Sequence, residues 1–409
     1  MSFMKKYPYK VVVMEPLGKG GWAQYTYCLL SHLSSQIEEL VLVTDSNTRF
    51  LGMKLPYVVK PILFSMANRL IALFHLQNRR SIRRILRAIE IPFNHLKIFL
   101  YCLKTNPDII HFQTAYSFEG LIIPLYRYFG IKVVYTAHDL LHYPPYPGDM
   151  LIFSYMYRRL NAIIVNGRSL KKDLLALFPE VRAANIFINN LGNDLEMENL
   201  PNISRREARS RLSISRGEKV ILFYGIIRPY KGLEVLIRAF ALLLEKLPEA
   251  RLFIAGEPIG GFTDYQNIIN RLEIGEWVKV FPYFISLEET PTYFTAADVV
   301  AIPYLKSYQT GIAPIAYSYS RPVVVSRVGG LAECIEEGKS GYSFQSGDAV
   351  DLAERLFLIL SDVEKNTGMK EFAGQYYRAN FSWRKIALST LAVYRKVLVG
   401  TSVAGPGVE

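Results

Sequence analysis

Lys219-Val220-Ile221-Leu222-Phe223-Tyr224, then Gly225-Ile226-Ile227-Arg228-Pro229-Tyr230-Lys231-Gly232, then Leu233, Val235, Leu236, Phe240 and Leu243 at helical spacing: these read as strand, loop and helix in succession. The β-rich run stops at a glycine, and the loop after it carries an arginine and a lysine. Unpaired backbone N–H groups and the positive end of the helix dipole converge at such a turn, so it suits an anion. Two added cations make a diphosphate the natural guest. An ordinary surface loop with two solvated cations is the alternative reading.

The same alternation of short apolar runs and longer helical patterns extends in both directions, which implies βαβ units and parallel sheets. In the first half the strands are expected at Tyr9–Met14, Leu40–Thr44, Asp108–Phe112, Lys132–Thr136, Ala162–Val165 and Asn185–Ile188. In the second half they are expected at Lys219–Tyr224, Arg251–Ala255, Val278–Phe281, Val299–Pro303, Pro322–Ser326 and Tyr342–Phe344. The polar stretch Gly192–Gly217 shows no strand pattern and is expected to hold the linker and a first helix. The expected division is an N-terminal domain over 1–200, a second domain over 201–375, a closing helix over 376–399 and a disordered tail over 400–409.

Half of the 409 residues are hydrophobic, enough for two large cores. Three widely spaced cysteines, Cys28, Cys102 and Cys334, form neither a disulfide framework nor a metal-ligand cluster. With no apolar signal segment and no uncharged apolar run of about 18 residues, the expectation is a cytoplasmic protein without a membrane span. A net charge of +12 calls for an anionic partner. Much of it lies in Arg79-Arg80-Ser81-Ile82-Arg83-Arg84-Ile85-Leu86-Arg87-Ala88-Ile89. At about 100° per residue, Ile82, Ile85, Leu86 and Ile89 share one side and the five arginines the other. This basic amphipathic pattern suits an anionic membrane surface, the alternative being a core-packed helix with a solvated basic face. No recognition motif accompanies the charge, so nucleic acid is not expected.

Three further loops draw attention. After the first strand comes Gly18-Lys19-Gly20-Gly21-Trp22, whose glycines let backbone approach a ligand or simply make a tight turn. It lacks the spacing of a dinucleotide fingerprint, and Asp45 at the second strand's end is also a common turn residue. His138 follows Tyr135-Thr136-Ala137 at a strand's C-terminal edge, placed either to meet a ligand or to cap its loop through Asp139. In the second half, Gln309-Thr310-Gly311-Ile312 and Val328-Gly329-Gly330-Leu331-Ala332-Glu333 follow strands and open helical patterns. Such loops supply oriented N–H donors for phosphate oxygens. Ligands of open α/β sheets bind at the C-terminal strand ends, so if both halves contribute chemistry the site is expected in a cleft between two doubly wound domains.

The ordered blocks G-x-x-R-P-Y-K-G, Y-F-x-A-A-D-V-V-x-x-P-Y, Q-T-G, R-P-V-V, V-G-G-L-x-E and G-x-S-G-Y resemble the C-terminal half of family 4 retaining glycosyltransferases of the GT-B fold. The glycine loop, D-I-I-H-F, Y-T-A-H-D-L and Phe381-Ser382-Trp383 extend the resemblance over about residues 9–399. It implies an α/β chain of two Rossmann-like, doubly wound domains across a cleft, with the last helix crossing back to the first domain. It further implies that Arg228 and Lys231 neutralise a leaving diphosphate and that His138 contacts the transferred sugar. Gly20, Gly21, Gly225, Gln309, Thr310, Gly311, Ile312 and Glu333 are then the donor-side residues. A nucleoside-diphosphate sugar would be co-substrate, and a glycan or glycolipid of surface polysaccharide synthesis the acceptor. No metal or cofactor is implied, and the chain contains no D-x-D.

Two departures stand out. Where the family usually has glutamates eight residues apart, this chain has Ser307 and Ile315, and Gln309 is the nearest polar substitute, as in a Q-[ST]-G subgroup. Arg228 also lies closer to Lys231 than the commoner spacing. A non-catalytic nucleotide- or glycan-binding scaffold and a nucleotide-sugar epimerase on the same fold are the alternative functions.

Overall fold

The first sheet orders its seven parallel strands β3-β2-β1-β4-β5-β6-β7: β1 Tyr7–Glu15, β2 Ile37–Asp45, β3 Val58–Leu63, β4 Ile109–Phe112, β5 Lys132–Ala137, β6 Ala162–Val165 and β7 Ile186–Ile188. The computed structural model describes residues 6–64, 73, 80–114, 119–141, 148–193, 195, 200–307 and 309–399. The expected tail, 400–409, and Arg79 lie outside them, as do the side chains of Arg80, Arg83, Arg84 and Arg87. The central strand β1 pairs on both sides, Val11 with Leu40 and with Ile109, and Val11–Met14 are buried. A continuous apolar run is what a parallel strand covered on both faces requires.

The second sheet has six parallel strands in the order β10-β9-β8-β11-β12-β13: β8 Lys219–Tyr224, β9 Ala250–Ala255, β10 Val278–Phe281, β11 Val299–Ile302, β12 Val323–Ser326 and β13 Gly341–Phe344. Both sheets are Rossmann-like, and the chain is α/β. Twelve of the thirteen strands among the described residues coincide with runs legible in the sequence. The exception, β3, is an edge strand interrupted by Pro61, with a register shift between the pairs Val43–Lys60 and Asp45–Leu63. Proline donates no ladder hydrogen bond and is tolerated at an edge or bulge, which masked the strand pattern there.

The chain divides into two compact units. One comprises the residues up to Asn190 together with those from Ile386 onward, and the other is Leu191–Lys385. The division thus falls ten residues before 200, and the helix Val363–Asn380 belongs to the second unit. The helix Trp383–Val399 leaves the second unit at Lys385 and is tied into the first. There Asn189 Nδ2 donates to Ile386 O (3.1 Å) and Thr390 Oγ1 (3.0 Å), and the Tyr394 hydroxyl lies 2.7 Å from His111 Nδ1. Between Tyr394 and Thr136 Oγ1 (2.8 Å), the wholly buried His111 has both ring nitrogens satisfied, and burial pushes its pKa down to about 3.

In the second unit the polar stretch after Gly192 contains the helix Arg205–Arg211, begun by Ser204, whose hydroxyl accepts from Glu207 N (3.2 Å). Asp298 of the Ala-Ala-Asp-Val-Val block is structural: its carboxylate meets Arg205 (2.6 Å), Lys370 (2.9 Å) and the amide of Val220 (3.0 Å). Burial raises its pKa, but Lys370 and Arg205 outweigh that and hold it below the usual carboxylate range. Trp383, fully buried, donates from Nε1 to Asn193 O (2.8 Å). A Cβ on Gly192 would lie 2.4 Å from Trp383 Cε2. Gly192→Ala is therefore expected to destabilise by about 1–3 kcal/mol through overpacking, read as a lower denaturation midpoint. An unchanged midpoint would mean the indole moves freely.

Candidate functional site

In an open α/β sheet the loops part where the strand order reverses, leaving a crevice at the C-terminal strand ends. In the second unit that point lies between β8 and β11. The loop from β8 turns at Gly225 (φ +98°), passes through the 3-10 turn Pro229–Lys231 and enters the helix Leu233–Leu244 at Gly232 (φ +67°). Gly232 is obligatory twice over, because a Cβ there would sit 1.9 Å from Pro303 O of the loop after β11. The Leu305 amide donates to Tyr230 O (2.7 Å) and locks the two loops together.

These contacts gather most of the expected donor-side residues of this unit. Lys231 Nζ stands 3.3 Å, and Ile312 Cδ1 3.7 Å, from where a Cβ on Gly225 would be. The ammonium also lies 5.4 Å from the centre of the buried Tyr304 ring. The Tyr304 hydroxyl is 3.4 Å from Thr310 Oγ1, which itself accepts from the amide of Ile312 (3.0 Å). Ile312 is thus present through its side chain, while its N–H is already engaged. Gly311 precedes the helix Ile312–Ser318. The Gln309 backbone carbonyl accepts from Ser307 Oγ (2.6 Å), and its buried Oε1 has no partner among the described residues. Ile315 packs into the apolar core, where a carboxylate would be buried without compensation. Glu333 lies on a third loop, exposed in the 3-10 turn Leu331–Cys334 after β12.

Neither Arg228 nor Lys231 meets a carboxylate among the described residues. Arg228 is exposed, and Lys231 is partly buried. Burial first, and the neighbouring guanidinium of Arg228 second, push the Lys231 pKa down to about 8. Two cations held close without a counter-charge store electrostatic free energy that an anion would release.

In the first unit the order reverses between β1 and β4. Glu15 ends β1 fully buried, its carboxylate accepting from the amides of Gly18 (2.7 Å) and Leu17 (3.0 Å), and burial pushes its pKa up to about 7. The glycine loop is therefore shaped from beneath. Gly20 (φ +82°) and Gly21 border open space, so room for an approaching ligand exists there, although only Gly20 demands glycine for its backbone. The helix Gly20–Leu33 begins here. Asp45 is a turn residue, its side chain accepting from the amide of Asn47 (2.6 Å).

His138 follows β5 and Asn166 follows β6, just beyond the paired residues Ala137 and Val165. Asn166 Nδ2 donates to His138 Nδ1 (3.1 Å), while Trp22 stacks on the imidazole (3.9 Å between centroids, 20°) and Tyr25 meets it edge-on (4.9 Å). Asp139 is exposed, so the ring is held by Asn166 and not through its neighbour. Burial, with His111 a lesser cause, pushes the His138 pKa down to about 3. The ring is neutral, Nδ1 accepts, and the proton sits on Nε2, a buried donor with no partner among the described residues. Sequence reading missed Trp22, Tyr25, Asn166 and Tyr304. A polar Asn directly after a β-rich run was the one available signal, the same signal that singled out His138. Among the described residues no three His, Cys, Asp or Glu side chains cluster to hold a metal.

These depressed histidines set a pH dependence. Unfolded, His111 and His138 titrate near 6.5, and folded near 3, so between those values the unfolded chain binds two more protons. Glu15, raised from 4.5 to about 7, removes one of these between 4.5 and 6.5. The net is positive, so the free energy of unfolding is expected to rise with pH from 4.5 to 6.5. A flat or falling profile in chemical denaturation would contradict the assignment.

Comparison with known proteins follows the same division. Residues 19–196 match the family described as Glycosyltransferase Family 4, and residues 204–376 match Glycosyl transferases group 1. The chain is similar to a D-inositol 3-phosphate glycosyltransferase of Corynebacterium aurimucosum, 28% identical over 317 residues, 72% of this chain and 73% of that protein. It is 34% identical over 199 residues to the same-named protein of Corynebacterium urealyticum, a match spanning 46% of each and so about half that relative's length. Among solved structures it is similar to Anabaena Alr3699/HepE in complex with UDP, at a TM-score of 0.73 and 17% identity, covering 95% of this chain and 100% of that one.

Proposed function

Since the chain belongs to glycosyltransferase family 4 and is a glycosyltransferase, we propose that it transfers a hexose from a nucleoside-diphosphate sugar to a glycan or glycolipid acceptor, with retention at the anomeric carbon and without a metal. The observation that carries this reading is the pair of uncompensated cations, Arg228 and Lys231, at the strand-order reversal of the second unit. Cleaving a glycosyl–phosphate bond builds negative charge on the departing diphosphate, and preorganised cations stabilise that charge more than the ground state. Lys231 is the better placed, being partly shielded from water.

Gln309 Oε1 and Glu333 are assigned to donor hydroxyls, and the turn Thr310–Gly311 to the diphosphate. His138 offers its Nε2–H to a sugar hydroxyl, and Gly20 and Gly21 leave room beside it. Relatives named D-inositol 3-phosphate glycosyltransferase support a hydroxyl-rich acceptor, and complexes of a fold neighbour with UDP support a nucleotide-bound donor. The setting we assign is surface-polysaccharide or lipopolysaccharide synthesis at the cytoplasmic face of a membrane.

The test is a panel of nucleoside-diphosphate sugars in thermal denaturation, followed by transfer assays with and without chelator. One donor class is expected to raise the melting temperature, since a ligand of the folded form alone stabilises it. The product should keep the donor's anomeric configuration, at a rate that chelator leaves unchanged. Binding without transfer to any acceptor would favour the scaffold, and conversion of donor alone would favour the epimerase.

A further inference from the structure

Two blocks of the second unit, Ala-Ala-Asp-Val-Val and Arg-Pro-Val-Val, meet where β11 and β12 begin. Val300 pairs with Val323 in parallel register, which sets Asp298 level with Arg321. Side chains alternate along a strand, so both residues fall on the face that carries Val300, Val323 and Val325. The helices Arg205–Arg211 and Val363–Asn380 join the same core through Ala208 and Ala373, and they bring Arg205, Arg209 and Lys370 to Asp298. Pro303 and the loop that meets Gly232 lie at the other end of β11, so this cluster is separate from Arg228 and Lys231.

Charge does not balance here. The Asp298 carboxylate accepts from Arg205 (2.6 Å) and Lys370 (2.9 Å) on Oδ1, and from the Val220 amide (3.0 Å) and Arg209 (3.5 Å) on Oδ2. Those donors fill the roughly four acceptor positions of a carboxylate. Arg321, 9% exposed, is a further cation, and its buried Nε has no partner among the described residues. The next acid, Glu218, is already engaged by Arg251 (2.9 Å) and the Ser215 amide (2.8 Å). Four cations against one carboxylate leave an excess of three positive charges. Burial first, and Arg205 next, push the Arg321 pKa down to about 10, which leaves it charged at neutral pH. A buried cation without an answering group costs folding free energy. Arg205 and Lys370 keep 36 and 21% of their side chains exposed, so the cluster opens to solvent.

We propose that Arg321, with Arg205 and Lys370, forms a second anion site in this unit, built for a tetrahedral dianion: a phosphate or sulfate group, free or carried on a small molecule. A planar guanidinium offers a fork that matches two oxygens of such a group. An excess of three charges favours a dianion over chloride or a single carboxylate. A group bound there ties the starts of β11 and β12 to the helices Arg205–Arg211 and Val363–Asn380. It stabilises the unit from the sheet edge opposite the donor loops, and the site stands independently of the donor assignment.

The test is thermal denaturation of the full chain carrying Lys231→Met, so that the donor loop contributes no oxyanion binding. Sodium phosphate or sulfate is titrated in, with ionic strength held constant by sodium chloride. The expected result is a rise in melting temperature that saturates at millimolar oxyanion. Saturation separates it from the general stabilisation that excluded salts give. Adding Arg321→Met removes an uncompensated cation and keeps an apolar stem, so the variant is expected to fold and to need at least about tenfold more oxyanion for the same rise. Arg321→Lys keeps the charge without the fork and is expected to need at least about threefold more, which carries the test should the methionine variant not fold. Glycerol phosphate beside inorganic phosphate names the source: tighter binding of the ester supports a phosphorylated small molecule, and tighter binding of the free ion supports phosphate itself. No saturable rise with either oxyanion would overturn the proposal. So would an unchanged rise in folded Arg321→Met or, failing that variant, in Arg321→Lys.

Discussion

Lys231→Ala is expected to lower kcat by about two to three orders of magnitude, the usual effect of removing one charge-stabilising group from a water-poor site. Arg228→Ala should cost less, because its exposed guanidinium acts through solvent and salt. Lys231 also predicts a pH signature. Its pKa lies near 8 in the free protein, and the cation is the useful form, so kcat/KM should decline as pH rises through about 8. Lys231→Arg should keep part of the activity and lose that basic limb, since arginine does not deprotonate in this range.

A second readout separates function from architecture. A partly buried ammonium with no carboxylate costs folding free energy, which an apolar side chain of similar length would not. Lys231→Met is therefore expected to abolish transfer while leaving the unliganded protein as stable as wild type or more so. A variant with near wild-type transfer would remove the diphosphate assignment. A strongly destabilised Lys231→Met would show the lysine to be a structural member of the loop.

His138→Ala is expected to cost about two orders of magnitude in kcat, as loss of a preorganised donor does, with the fold retained because Trp22 and Tyr25 line the vacated space. With a pKa near 3, His138 should contribute no acid limb between pH 5 and 7. Asn166 acts through it as a positioning residue. Its amide holds Nδ1 as an acceptor and so leaves the proton on Nε2. Asn166→Asp should invert that preference, because a carboxylate accepts from Nδ1–H and raises the imidazole pKa toward the neutral range. The expected result is a fall in kcat with a new acid limb in the pH profile, reversed in Asn166→Gln to the extent that the longer amide reaches. A fall without any change in the pH profile would indicate packing alone.

The loop residues were legible because their types are costly elsewhere. Gly225, Arg228, Lys231 and Gly232 fall within one eight-residue loop, and a cation pair without a carboxylate among the described residues, beside positive-φ glycines, has few purely structural uses. His138 was legible as a polar residue closing an apolar strand. Asn166 carries the same mark, but its meaning depends on the pairing of Ala137 with Val165, a register no local pattern reveals. Trp22 and Tyr304 stand in the quoted motifs without a role of their own, and only the folded loops bring them to His138 and Lys231. Ile85 and Ile89 pose the converse case: their helical spacing marks an apolar side, and spacing says nothing about whether that side faces a sheet or solvent.

The amino-acid sequence alone determined two parallel α/β sheets, twelve of their strands and the loop that bears the cations, because hydrophobic period, glycine placement and charge are properties of neighbouring residues. The tertiary structure decided the strand orders, the edge strand at Pro61, the partners of His138, the burial that loosens the proton on Lys231, and the exposure of Ile85 and Ile89 to solvent. Each of those depends on which distant segments come into contact, and burial, register and desolvation exist only once they have.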